Sequence, residues 1–221
     1  MDRWFRYFSS AHAKSFVEHG EILFRSLSYF RDYEDSGVRG DDLEGTLRHL
    51  PANGLTVKKL GEDDEIPIPF AFESSVNEDD IFVYCLGTEL SAAIGAKFKA
   101  NVCVEIVKPE RLLARLRSAL KLRPQFRQSS IVHGPVTYYA PESPPLGDWA
   151  IPDRIAFRKS IEFEWQREFR MAIPKGDAFS VYNVRTNLVG LGTSRPPRKA
   201  HHPSLTFKLG SLRSICRSHA L

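Results

Sequence analysis

Polar and apolar residues alternate along the stretch SIEFEWQREFRMAIP, residues 160–174. Successive side chains of a β-strand point to opposite faces, so this alternation predicts a strand over these residues. One face of that strand would be mainly aromatic, and the other would be either a solvated sheet surface or the wall of a cleft. The second face would present four side chains with acceptor groups: Glu162, Glu164, Gln166 and Glu168.

Shorter patterns of the same kind predict further elements. Helical spacing of apolar residues predicts a helix that Ser9 or Ser10 caps and Gly20 ends, and another that begins at Pro109. Residues 28–35 and 154–160 are also predicted to be helical. Apolar runs bounded by turn residues predict strands at 3–8, 21–27, 80–87, 101–107, 130–139, 178–184, 187–192, 204–210 and 211–216.

These patterns predict about eight to ten short strands and three or four helices, with the helices mostly in the N-terminal half. Strands and helices do not alternate regularly, which argues against a doubly wound parallel sheet. We therefore expect an α+β fold with a split, mainly antiparallel β-sheet core. Residues 1–221 are expected to form a single domain, with a mobile basic loop near residues 192–204.

Composition favours a cytoplasmic protein that does not associate with membranes. The chain has no apolar run of about 18 residues, and its N-terminus lacks the pattern of a secretory signal. Its cysteines, Cys85, Cys103 and Cys216, lie in apolar runs and form no CxxC pair, which predicts buried free thiols.

The formal net charge is +4, and the charges are unevenly distributed. Acidic residues cluster at 31–45 and 61–65, and basic residues cluster at 108–128 and 195–217. A basic flank beside an acidic site suits a nucleotide or nucleic-acid partner, although a solvated helix face is the simpler explanation.

Several kinds of chemistry receive no support. The chain contains no phosphate-binding glycine motif, no dinucleotide fingerprint and no GxSxG nucleophile motif. His201 and His202 have no further ligand at zinc spacing. The turn with Asp41, Asp42 and Glu44 could hold a divalent cation, but a solvated acidic turn is the favoured interpretation. No metal site is therefore predicted.

Two segments together resemble the ADP-ribosyltransferase superfamily. FRYFSSAHAKSFVEHGEILFRSLSYF, residues 5–30, resembles its opening strand, helix, glycine and second strand. WQREFR, residues 165–170, resembles the late strand that bears the catalytic Glu, here as Gln-x-Glu. The same six residues match the Trp-x-x-Glu-x-Arg of a group of poorly characterised bacterial proteins that begin with Tyr-Arg-Tyr.

The resemblance implies an enzyme that uses NAD as a substrate and modifies a macromolecule. The basic flanks slightly favour RNA or DNA over protein as the acceptor. Related bacterial activities belong to toxins and phage-defence effectors, which implies an antitoxin or inhibitor protein as a further partner.

Glu168 is the residue that the resemblance implies as the catalytic carboxylate. Cleavage of the nicotinamide–ribose bond builds positive charge on the ribose, which a fixed carboxylate stabilises, and Glu168 could also act as a base through a water. Gln166 would orient the acceptor, and Arg170 would hold Glu168 ionised. A buried ion pair with Arg170 or Arg6 is the structural alternative for Glu168.

The N-terminal segment would supply the cofactor-binding residues. Arg6 has the planar fork that suits a pyrophosphate or the nicotinamide ribose. Tyr29 or Tyr33 would stack on the nicotinamide ring, and Ser26 or Ser28 would orient Arg6 or a ribose hydroxyl. On this hypothesis Arg6, Tyr29 and Glu168 converge on one cleft.

The resemblance has departures that leave the branch and the acceptor open. In the branch that uses Arg, Ser and Glu, the serine motif usually lies further from the arginine. In the branch with Tyr after the second strand, the first strand typically has His. Two other functions also stay open: a non-enzymatic module that binds nucleic acid or protein, and a metal-dependent nuclease built on Asp41, Asp42, Glu44 and Glu168.

Overall fold

The structure is a computed structural model that describes residues 3–33, 38, 40–61, 64–191 and 201–221. Its α-helices are α1 Ser10–His19, α2 Leu27–Arg31, α3 Ala92–Lys97, α4 Pro109–Lys121 and α5 Pro152–Ala156. Its strands are β1 Trp4–Phe8, β2 Glu21–Ser26, β3 Thr46–His49, β4 Leu55–Lys58, β5 Glu65–Ile68, β6 Phe70–Ser75, β7 Ile81–Gly87, β8 Val102–Ile106, β9 Val132–Pro135, β10 Thr137–Tyr139, β11 Arg158–Ser160, β12 Glu168–Pro174, β13 Arg185–Gly190, β14 Ser204–Lys208 and β15 Cys216–Ala220.

The core of the fold is an eight-stranded sheet in the order β14-β2-β7-β1-β8-β15, with β12 added beside β7 and β9 beside β12. The pairings of β7 are antiparallel, and β12 follows one edge of β7 from Ile81 to Gly87. Two strands share the other edge of β7, because β2 pairs at Phe82 and Val83 whereas β1 pairs at Gly87. Beyond this edge the sheet therefore divides into two arms, one formed by β2 and β14 and the other by β1, β8 and β15. This division confirms the prediction of an α+β fold with a split antiparallel sheet.

Each face of this sheet covers its own hydrophobic core. We call one the α4 face, because α1 and α4 pack there against Tyr84, Phe169 and Met171. We call the other the α5 face, because α2 and α5 pack there against Val83 and Ala172. The leucines predicted to form the apolar stripe of α4 are all buried: Leu112, Leu113, Leu116 and Leu120.

Gly20 ends α1 as predicted. Its φ of 63° lies in the left-handed region, and its N–H donates to the carbonyl of Phe16 at 3.0 Å. A Cβ at this position would collide with the backbone oxygen of Gly210. Gly176 has a similar φ of 58°, yet a Cβ there would meet no atom within 4 Å.

We expect Gly20→Ala to destabilise the protein more than Gly176→Ala. Both variants would force alanine into the left-handed region, at a cost of about 1–2 kcal/mol. Gly20→Ala adds a backbone collision, so its melting temperature should fall further by at least about 2–4 °C. Thermal unfolding followed by circular dichroism measures the difference, and equal shifts would mean that the contact with Gly210 does not constrain the turn.

The stretch at residues 160–174 is only partly a strand, which corrects the prediction. Residues Ile161–Gln166 form a 3-10 helix, and Arg167 adopts a left-handed φ of 45° before β12 begins at Glu168. Burial of Phe163 and Gln166 stabilises the helical turn, so the alternation before Glu168 does not define a sheet face.

Other element predictions also need correction. Residues predicted as one helix at 154–160 divide into the end of α5 and β11, and residues 181–183 form a 3-10 turn where a strand was predicted. The predicted mobile loop falls largely on residues 192–200, which lie outside the described residues. The three cysteines are free thiols as predicted, with Cys103 buried and the other two half-buried.

Among the described residues, we find no helix whose length and apolar character would let it cross a membrane.

Candidate active site on the α5 face

Arg170 lies at the centre of a buried group of charged residues, which we call the Arg170 cluster: Asp41, Glu44, Lys159, Glu168 and Arg170. Its side chain is 1% exposed, and its guanidinium contacts two carboxylates. The Nη1 and Nη2 atoms donate to the two oxygens of Glu44 at 2.5 and 2.9 Å, while Nε donates to Glu168 Oε1 at 2.6 Å. Nη1 also donates to the carbonyl of Ala156 at 2.7 Å, so the guanidinium is bound on several sides.

Lys159 is the second cation of this cluster. Its Nζ lies 3.4 Å from Glu168 Oε2 and 3.8 Å from Glu44 Oε2. It also donates to Gln166 Oε1 at 3.0 Å, and the amide nitrogen of Gln166 donates to the carbonyl of Val38 at 2.8 Å. Gln166 is therefore bound at both ends of its amide.

Three separate segments bring the cluster together. Glu168 and Arg170 are two residues apart on β12, so both side chains point to the α5 face. Lys159 comes from β11, and Glu44 comes from the acidic turn after α2. In that turn Asp41 Oδ1 accepts from the N–H of Leu43 at 2.9 Å, which fixes the backbone next to Glu44.

The charges of the cluster control its protonation. Burial would raise the pKa of Glu168, but the charges of Arg170 and Lys159 outweigh burial and lower that pKa to about 2. Burial also opposes the charged form of Lys159, but the carboxylates of Glu168 and Glu44 raise its pKa. Burial and the negative charge of Glu44 raise the pKa of Asp41 to about 6. Glu168 is therefore ionised at neutral pH, whereas Asp41 takes up a proton as the pH falls through about 6.

Cys85 borders the same cluster, because it lies opposite Arg170 on β7. Burial is the main cause that raises the pKa of its thiol, and the negative charge of Glu168 adds to it. The thiol therefore stays protonated, which argues against a role as a nucleophile.

The residues predicted around α2 lie close to one another. The hydroxyls of Ser26 and Ser28 are 2.9 Å apart, and both residues are buried. The rings of Tyr29 and Tyr33 have centroids 5.2 Å apart, and the guanidinium of Arg25 lies 4.5 Å from the Tyr29 ring centroid.

His202 connects this region to the segment before β14. Its Nδ1 lies 3.2 Å from Ser28 Oγ, and its Nε2 lies 3.8 Å from Asp32 Oδ2. The ring also contacts Tyr29 edge-on at 5.9 Å. The two serine hydroxyls are therefore occupied with each other and with His202.

The α2 region and the Arg170 cluster share one face of the sheet. Arg25 lies opposite Val83 and Arg170 opposite Cys85, two positions along β7 with the same orientation. The backbone N–H of Asp41 donates to the carbonyl of Phe30 at 3.1 Å, which joins the acidic turn to α2.

Arg6 lies on the opposite face, which contradicts the prediction of one cleft. Phe5 and Glu168 both lie opposite Gly87, so these two share a face and Arg6 points to the other one. Its guanidinium lies 4.8 Å from the ring centroid of Tyr84 on the α4 face and donates to the carbonyl of Cys85. Arg6 therefore fills the gap between the two arms of the sheet and does not meet Glu168.

Sequence reasoning did not place Arg25, Lys159 or His202 in this region, and it grouped Glu44 with Glu168 only as a metal ligand in the nuclease alternative. A charged residue inside the apolar strand β2 was a usable signal for Arg25. The other three come from turns and short elements whose positions depend on tertiary packing.

The carboxylates proposed for a nuclease do partly converge, since Asp41, Glu44 and Glu168 all lie in the Arg170 cluster. Two cations occupy the space between these carboxylates, and Asp42 is exposed on the turn. Within the described residues, no group of three potential ligands has the arrangement of a metal site.

The α5 face thus combines an ionised, buried carboxylate with a wall of tyrosine rings and an arginine. Comparisons of the chain with models of protein families, with curated proteins and with solved structures found no match.

Proposed function

We propose that the chain is an NAD-dependent ADP-ribosyltransferase that modifies a macromolecule, with nucleic acid favoured over protein. The observation on which this proposal rests is the position of Glu168. It begins β12 as an ionised, buried carboxylate on the same sheet face as Tyr29 and Tyr33.

Glu168 would act through its charge. In the reaction the bond between nicotinamide and ribose C1′ breaks, and the electron pair leaves with nicotinamide. The acceptor atom then bonds to C1′ and loses a proton. A carboxylate that keeps its charge in a low-dielectric site stabilises the positive ribose during this exchange. A pKa of about 2 makes Glu168 a weak base, so electrostatic stabilisation is favoured over proton abstraction.

A ribose hydroxyl would bind Oε2 of Glu168, the more weakly held of its two oxygens, although the thiol of Cys85 also contacts this carboxylate. Oε1 accepts a 2.6 Å bond from Arg170, whereas the contacts of Oε2 with Lys159 and Arg170 are both 3.4 Å long. A hydroxyl of the substrate would therefore bind at Oε2 without breaking the shortest bond of the cluster.

The wall formed by α2 supports binding of the rest of NAD. Tyr29 and Tyr33 offer ring faces for the nicotinamide, and Arg25 offers a guanidinium for the pyrophosphate. On this proposal Arg25 takes the part that the sequence suggested for Arg6. Ser26 and Ser28 orient α2 through their mutual bond.

A non-enzymatic binding module is the second candidate, and the burial of the cluster favours it. Glu168 is only 4% exposed, and Gln166 uses both ends of its amide within the protein. Such a network also suits a purely structural connection between β11, β12 and the acidic turn. On this alternative, Glu168 matters for folding alone.

We expect Glu168→Gln to abolish transfer of label from NAD to the acceptor, by at least about 100-fold. The purified protein is incubated with labelled NAD and with RNA, DNA or protein acceptors, and released nicotinamide is measured in parallel. Glu44→Gln is the matched control, because it removes an equally buried partner of Arg170 that has no proposed contact with NAD.

Loss of activity in both variants to the same degree would assign the effect to folding and not to catalysis. Wild-type protein that neither transfers label nor releases nicotinamide would overturn the enzyme proposal.

A toxin or phage-defence role fits this activity, and expression in bacteria tests it. The wild type should arrest growth, and a folded Glu168→Gln protein should not.

A further inference from the structure

The exposed side of α4 and the turn after it form a basic surface. Residues 108–128 contain seven basic residues, and Glu110 is their only acidic residue. We call the following set the α4 basic surface: Arg111, Arg115, Arg117, Lys121, Arg123 and Arg127.

The charge of this surface is not neutralised within the described part of the chain. There, Arg111, Arg117, Lys121 and Arg127 are exposed and have no ion-pair partner. Among the described residues, Arg115 donates to the carbonyls of Leu209 and Ser211 and Arg123 donates to that of Thr206 at 2.7 Å, and neither has a carboxylate partner.

The spacing of these cations disfavours the helix itself. Arg111 and Arg115 are four residues apart, as are Arg117 and Lys121. Like charges at this spacing destabilise a helix by about 0.2–0.5 kcal/mol per pair. A polyanion bound to this side of α4 would remove that repulsion.

Nucleic acid fits this surface better than a membrane does. A helix that binds a membrane surface inserts its apolar side into the lipid. The apolar side of α4 is already packed in the core through Leu112, Leu116 and their neighbours, and only Leu122 at the end of the helix is largely exposed. The available contacts are therefore with phosphates.

The surface also favours duplex over single-stranded nucleic acid. Proteins that bind single strands stack the bases on exposed aromatic rings. Phe126 is the only aromatic residue between 108 and 128, and it is buried. Cations without stacking rings contact the phosphate backbone, and α4, at about 20 Å, is long enough to follow several phosphates.

A polar concavity continues the surface beyond α4. It has a volume of about 470 Å³ and is lined by Gln125, Arg127, Gln128 and Ser129, with Asp177 also at its wall. The side-chain amides of Gln125 and Gln128 beside Arg127 can donate hydrogen bonds to phosphate oxygens without selecting a base, whereas the hydroxyl of Ser129 already donates to the carbonyl of Pro174.

We propose that the α4 basic surface binds the phosphate backbone of double-stranded nucleic acid. It lies on the α4 face of the sheet and is separate from the Arg170 cluster. The inference does not depend on transferase activity. If both proposals hold, the α4 basic surface keeps a nucleic-acid acceptor bound to the transferase.

The test is fluorescence anisotropy with labelled 20-base-pair DNA and RNA duplexes between 50 and 200 mM salt. Each lost phosphate contact reduces the slope of log affinity against log salt by about 0.9. We expect the double variant Arg117→Gln and Lys121→Gln to reduce the slope by about two and to weaken binding at least tenfold. Circular dichroism melting confirms that the variant is folded.

The matched control is the double variant Arg154→Gln and Arg185→Gln, which removes the same charge from exposed positions elsewhere. It should bind like the wild type. Equal weakening by both double variants would indicate a net-charge effect and would overturn the proposed surface. Three other results would also overturn the proposal. They are a failure to bind duplex, tighter binding of single strands than of duplex, and binding to phosphatidylserine vesicles in place of duplex.

Discussion

Arg170→Met should lower the melting temperature by about 6–20 °C. Among the described residues, the variant leaves Lys159 as the one cation that pairs with the buried Glu44 and Glu168. Breaking a buried ion pair by removal of one partner costs about 3–5 kcal/mol, and each kcal/mol corresponds to about 2–4 °C in a protein of this size. Thermal unfolding followed by circular dichroism measures the change.

Two further variants show whether the loss of stability comes from the unpaired buried carboxylates or from replacing any arginine with methionine. Arg154→Met changes an exposed arginine and should alter stability by no more than about 0.5 kcal/mol. The double variant with Arg170→Met and Glu44→Gln removes one stranded carboxylate and should recover part of the loss. A shift below about 2 °C for Arg170→Met would contradict the view that this guanidinium connects β12 to the acidic turn.

Asp41→Asn should stabilise the protein at pH 8 by up to about 3 kcal/mol and have little effect at pH 4. The pKa of Asp41 is raised from 3.8 to about 6, mainly by burial, so the folded protein binds this proton more tightly than the unfolded chain. The contribution of Asp41 to the free energy of unfolding is therefore fully present below about pH 4, and it is lost as the pH rises through about 6. The folded and unfolded pKa values differ by about two, and each pKa unit corresponds to about 1.4 kcal/mol, which gives the expected size.

Asparagine keeps the oxygen that accepts from the N–H of Leu43, so the turn itself is preserved. Glu168 has the opposite effect: its contribution is present above its ordinary pKa and is lost as the pH falls through about 2, in wild type and variant alike. Denaturant unfolding from pH 4 to pH 8 measures the difference between the two proteins. A difference that stayed constant with pH would contradict a raised pKa for Asp41.

Elements with strong local patterns could be predicted from the sequence. The leucine spacing of α4 and the glycine after α1 depend on interactions within a few residues, and both are found where they were expected. The alternation at 160–174 is different, because its first part folds as a 3-10 turn that buries Phe163 and Gln166, three residues apart, although polar and apolar residues alternate every two. Local pattern alone does not distinguish these structures.

The position of Arg6 shows what requires tertiary information. A register shift of one residue between β1 and β7 exchanges the two faces of the strand. The sequence identifies β1 as a strand but does not specify that Phe5, and not Arg6, lies opposite Gly87. Whether Arg6 meets Glu168 was therefore not predictable.

The candidate site was predictable only where its residues are close together in the sequence. Glu168 and Arg170 are two residues apart on a strand, and their predicted contact is confirmed at 2.6 Å. Glu44 and Lys159 join them from turns and short elements that are distant in sequence, and no local pattern indicates such contacts.

The pairing of β7 with β12 has a consequence for how the chain is made. The partner residues on β12 follow those of β7 by roughly 80 to 90 residues, which at about 5–20 residues per second is several seconds of translation. During that time one edge of the nascent strand Ile81–Gly87 has no partner, and such an apolar edge is prone to pair with other chains. The sheet is therefore completed late in synthesis, after an interval in which this edge is open to pairing with other chains.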